Sequence, residues 1–168
     1  MGDGFIQLFH HELESLVWHE LSGNAVKLYL AIKRAYHPEN NGKLAFGARR
    51  AGKLLGKSKS TGNKALNELL AYGFLVMTKE STFHHPNPTF YFLNNNTAER
   101  QNYAREYRLT CYSYQNNEPT YDYRNKDPIE IWNIQNKHGF KASHKLSCEI
   151  SRKIDKTHED WVPDGYDA

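Results

Sequence analysis

The stretch from Arg49 to Thr78 limits the fold more than any other part of the chain. A short apolar-periodic run, Arg49 to Leu55, is broken by Gly56-Lys57-Ser58 and followed by a second run from Lys59 to Tyr72. In that second run Gly62, Ala65, Leu66, Leu69 and Leu70 share one helical face. Lys59, Ser60, Asn63, Lys64 and Asn67 share the other. Ser58 or Ser60 supplies an N-cap, Gly73 a C-terminal stop, and Phe74 to Thr78 reads as a strand. Two helices joined by so short a break must cross and bury a common face, with Leu54 and Leu55 expected in the shared core.

The flanking segments fit around that unit. Phe9, Leu13, Leu16, Val17 and Leu21 have helical spacing with a break near Ser15. Ser22 caps a helix over 23–36 that is apolar almost all round and therefore central. His37 to Gly42 stops it, and Lys43 to Phe46 reads as a short strand. Thr89 to Leu93 is expected to pair with Phe74 to Thr78 in a long hairpin across the loop Lys79 to Pro88. Arg105 to Tyr114 alternates, with Tyr107, Leu109 and Cys111 on one side, and is expected to complete the same sheet. The class is α+β, mainly α.

Charge is segregated. Residues 1–42 hold three cations against five carboxylates, whereas 43–79 hold eight cations against Glu68 alone, within a chain of 168 residues and net charge +3. A basic block inside patterned structure is a footprint for a polyanion, because phosphate binding gains from counterion release. Aromatic residues at 13% argue against disorder throughout. No apolar run approaches the ~20 residues that span a bilayer. The first residues lack the layout of a secretory signal, so a cytoplasmic setting is expected.

Catalytic and metal chemistry find little footing. Cys111 and Cys148 imply no disulfide framework, and neither belongs to a CxxC. The nine histidines lack ligand spacing, so no metal site, no cofactor and no identifiable small-molecule effector are expected. Ala51-x-x-x-x-Gly56-Lys57-Ser58 fits a permissive phosphate-loop pattern, but Phe46 to Arg50 is not the buried strand such a loop needs before it. GxSxG and HExxH are absent, and the chain is not expected to be an enzyme.

Ala51-Gly52-Lys53-Leu54-Leu55-Gly56-Lys57-Ser58, Ser60-Thr61, Ala65 to Leu69 and Tyr72-Gly73-Phe74-Leu75 together resemble winged helix-turn-helix DNA-binding domains. The likeness is to regulators and replication-initiator-like proteins of bacteria, phages and plasmids. Ser15-x-x-Trp18-x-x-Leu21, Asn41-Gly42-x-Leu44 and Tyr107 to Thr110 look similar to that group too, so the resemblance spans roughly 13–110. Lys57 and Gly62 depart from it, standing where such domains carry aliphatic residues, which implies looser packing at the turn or a charge facing the ligand.

The resemblance implies three helices plus a β-wing, binding double-stranded DNA as a transcriptional regulator or as an origin-binding part of a mobile-element replication system. Base contacts would fall to Ser58, Lys59, Ser60, Thr61, Asn63, Lys64 and Asn67 on a recognition helix at about 59–72. Phosphate contacts would fall to Lys43, Arg49, Arg50, Lys53 and Lys57. The wing would bring Lys79, Thr82, His84, His85 and Asn87. A homodimer on two half-sites is expected. The alternative is a winged-helix protein-interaction module that does not bind DNA.

On this reading residues 1–112 form the DNA-binding domain and 113–168 a C-terminal extension with an acidic tail. Ile129, Ile131, Trp132 and Ile134 form an apolar cluster expected to serve docking or dimerisation. Leu146, Ile150 and Ile154 make a helical stripe flanked by Lys141, Lys145, Arg152, Lys153 and Lys156. An ordinary amphipathic helix is the nearer expectation there, and a second polyanion contact the other.

Overall fold

The computed structural model describes residues 4–80 and 104–159, with side chains to 153. Serines start four of the helices, Ser143 among them by accepting from Leu146 N. Ser15 separates α1 (His10–Leu13) from α2 (Leu16–Glu20) and accepts from Trp18 N, and Ser22 caps α3 (Gly23–Arg34) through Ala25 N. After the turn at Asn41-Gly42, β1 (Leu44–Ala45) leads into α4 (Ala48–Leu55). Gly56 then takes φ +66°, and Ser58 caps α5 (Lys59–Ala71) by accepting from Thr61 N. A left-handed residue after a helix is where glycine is favoured, because a Cβ there is strained. The chain continues through β2 (Leu75–Lys79), β3 (Glu106–Leu109), α6 (Pro128–His138) and α7 (His144–Glu159).

The fold is α+β and mainly helical, with one antiparallel sheet in the order β1-β3-β2. Leu44 faces Tyr107 across the first pairing and Leu75 faces Leu109 across the second, with an irregularity between Met77 and Lys79. The strand expected over 105–114 is shorter, Glu106–Leu109: Tyr107 and Leu109 are buried as the alternation requires, but Thr110 is buried too and the chain turns there. The hairpin partner at 89–93 lies outside the described residues; within them, β2 pairs with β3.

α3 runs through the centre, as its all-round apolar sequence requires: Ala25, Leu28, Tyr29 and Ile32 are fully buried. Around it pack Val17, Leu55, Leu66, Leu69, Tyr72, Phe74 and the two strand residues. The same core takes in the C-terminal third. Tyr123 stacks on Phe74 with ring centroids 4.6 Å apart, and Ile131 and Leu146 are fully buried. The apolar cluster expected on α6 is therefore divided, with Ile131 inside while Ile129 and Trp132 are each 46% exposed. Ile150 is half-buried on the stripe of α7, and the side chain of Ile154 lies outside the described residues. Among the described residues no helix is long and apolar enough to cross a membrane.

Candidate nucleic-acid interface

The site is built on the crossing of α4 and α5, and two glycines set how close they come. A Cβ on Gly62 would meet Gly52 N, and Ala48 O at 2.6 Å. One on Gly52 would meet Ser58 O at 2.6 Å. These are backbone atoms, which cannot swing aside. Glycine at 62 therefore lets α4 and α5 approach closely, so the contact is tight where looser packing was one of the two expectations. Lys57 is exposed at the turn.

The amphipathic division of α5 is as the spacing requires. Gly62, Ala65, Leu66 and Leu69 are buried; Lys59, Ser60 and Lys64 are exposed; Asn63 and Asn67 are part-exposed. Ser58 and Thr61 are occupied with the helix start, their hydroxyl oxygens 3.1 Å apart. Glu68, the one acid of the basic block, turns inward: its carboxylate accepts from Ser22 N and, at 2.8 Å, from Ser22 Oγ. The outward face of α5 is left without a carboxylate.

Lys43, Arg49, Lys53, Lys57, Lys59 and Lys64 are all exposed, and none forms an ion pair among the described residues. Lys57 and Lys59 flank the N-terminus of α5, where the helix dipole is already positive. Cations there are unfavourable by about 0.3–1 kcal/mol each, so helix stability gives no reason for them, whereas an incoming anion does.

Two residues depart from their expected places. Arg50 folds back, donating to Ala45 O at 2.8 Å with its guanidinium over the Phe46 ring at 4.5 Å. Leu54 is 43% exposed rather than in the core; α4 buries Ala51, Gly52 and Leu55, and Leu54 points well away from that face. Lys79 closes β2 and lies 3.9 Å from Glu106. Thr82, His84, His85 and Asn87 lie outside the described residues. The phosphate-loop pattern has no loop, because Ala51 to Leu55 are helical and Lys57 N donates to Gly52 O.

Periodicity gave no sign of three buried polar clusters behind this face. Lys33 and Glu12, both with fully buried side chains, pair at 2.6 Å, and Lys33 also donates to Gln7 O. The ammonium lies 5.1–5.3 Å from the ring centres of Phe9, Tyr29 and Tyr112. Tyr29 Oη donates to Glu12, and Cys111 Sγ lies 3.5 Å from it. Burial pushes the Cys111 thiol up to about 12, which makes it inert rather than nucleophilic. Glu20 accepts from Gln135 Nε2 and from Ser143 N and Oγ, with Tyr72 Oη 3.1 Å from Gln135. Asn41 Oδ1 accepts from Leu109 N and its Nδ2 faces the carbonyls of Leu109, Tyr112 and Ser113, tying the turn to β3.

Among the described residues no group of three His, Cys, Asp or Glu side chains is placed to hold a metal ion. Compared with protein-family models, curated proteins and solved structures, the chain matches none.

Proposed function

We propose that the protein is a winged helix-turn-helix that binds double-stranded DNA with the outward face of α5 in the major groove. Sequence-dependent regulation of transcription, or origin binding in a mobile-element replication system, is the role this implies. The observation that carries the reading is the unneutralised face: exposed cations on α4 and at the start of α5, with the block's only acid turned inward onto Ser22. A helix that only faced solvent would gain from acids in its first turn, and α5 has none there. Asn63 and Asn67 are the residues suited to adenine, and Lys59 and Lys64 suit guanine or phosphate. Arg49 and Lys53 suit the backbone, where they set affinity and register without reading sequence.

Fluorescence anisotropy with a mixed-sequence duplex over a salt series tests this. Binding should weaken steeply with salt, and Lys59→Ala/Lys64→Ala should lower the slope of log K against log salt by up to about 1.8, roughly 0.9 per lost phosphate contact. Folded protein that ignores the duplex at low salt sinks the reading in favour of a protein-interaction module.

A further inference from the structure

From Ile131 to Cys148 the sequence has no Asp or Glu, yet it holds Lys137, His138, Lys141, His144 and Lys145. All five are exposed, and they gather where α6 turns into α7. Three neighbouring cations have partners: Lys126 pairs with Glu130, Arg152 with Glu149 and Lys153 with Asp127. Lys137, Lys141 and Lys145 pair with no carboxylate among the described residues. Among the described residues, the lysines of α6 and α7 that form no ion pair thus lie at this corner.

The corner is held against the far end of α5. Gly139, at φ +67°, ends α6, and Phe140 packs on Tyr72 with ring centres 5.8 Å apart. Gln135 reaches Tyr72 Oη, and Glu20 binds Ser143 at the start of α7. Glu20 is the carboxylate seen to hold this turn, and it is buried with both oxygens engaged, so it does not neutralise the surface. The start of α7 adds the positive end of its dipole. A charge spread over two helix ends and a turn suits an extended polyanion better than a single small anion. Phe140 faces inward onto Tyr72 and leaves no apolar wedge here for a lipid surface.

We propose that the α6–α7 corner is a second phosphate-backbone contact on duplex DNA, beyond the stretch of groove that α5 occupies. This rests on the DNA reading of α5. The corner packs against Tyr72, just past the C-terminal end of α5, whose 13 residues are about 20 Å long.

The test compares wild type, Lys137→Ala/Lys141→Ala/Lys145→Ala and Lys59→Ala/Lys64→Ala on a long duplex of about 24 base pairs, over a salt series. Circular dichroism checks that all three are folded. On the long duplex the corner variant should bind about 5- to 50-fold more weakly, with a salt slope lower by up to about 2.7 and unchanged sequence preference. Equal affinity and slope on the long duplex overturn the corner contact while leaving α5 standing. Loss in the corner variant but not in the α5 variant overturns the α5 reading instead. Absence of wild-type binding overturns both. Binding to phosphatidylserine vesicles that the corner variant loses, with DNA affinity unchanged, assigns the corner to a lipid surface and overturns the proposal.

Discussion

Gly62 shows two local effects of opposite sign whose sizes can be compared. Alanine in a helix interior is better than glycine by about 1 kcal/mol. Here its Cβ would push into the backbone of α4 at Ala48 and Gly52, and such overpacking costs about 1–3 kcal/mol or more. The clash should win, so Gly62→Ala is expected to lower the urea midpoint, whereas Asn63→Ala on the outer face should leave it level or raise it. A stabilised Gly62→Ala would mean that α4 and α5 do not cross as closely as described. Lys33 offers a second residue-scale test. Lys33→Met leaves Glu12 buried and uncompensated and should cost about 3–5 kcal/mol. Adding Glu12→Gln removes the stranded charge, so the double variant should recover part of that loss. A double variant no more stable than Lys33→Met alone counts against a coupled pair.

At the scale of elements, Glu68 joins α5 to the start of α3, and that contact separates stability from binding. Glu68→Gln weakens hydrogen bonds to a charged acceptor, worth about 1.5–3 kcal/mol when lost, and should lower stability. Because the carboxylate faces inward, the folded variant should keep the wild-type salt slope for DNA. A higher affinity would show that Glu68 had been opposing phosphate from the binding face. The caps and stops of these helices were legible in the sequence, because Ser15, Ser22, Ser58, Gly56 and Gly73 act through their immediate neighbours. Division of the α5 faces was legible for the same reason. Leu54 was misplaced because an apolar residue on an eight-residue helix says little about which face the rest of the chain will cover. Strand alternation marked the segment that holds Glu106–Leu109 but overran its end, and it could not name the pairing, since period two is the same for every partner. The Glu12–Lys33 and Glu20–Ser143 contacts span 21 and 123 residues, a separation at which no local pattern operates.

At the scale of the whole molecule, the buried phenols connect parts that the sequence suggested were separate. Burial raises the pKa of Tyr29 in α3, of Tyr107 in β3 and of Tyr123 beyond the sheet, and holds Tyr72 at about 12. In each case the native state keeps a proton that the unfolded chain gives up near its ordinary pKa of about 10. Stability from these groups is therefore complete below pH 10 and falls as pH rises through the folded values. Since Tyr29, Tyr72 and Tyr123 belong to one core cluster, the loss should be shared. Thermal melts from pH 9 to 11.5 should show a steepening fall in Tm. Tyrosinate absorbance should rise first from exposed phenols and then in one step that coincides with loss of helix. A Tyr123→Phe variant should reduce the amplitude of that step without splitting it. If the signal lost with Tyr123 instead belongs to an earlier transition, the C-terminal third unfolds by itself, and residues 113–153 behave as a separate unit docked on the core.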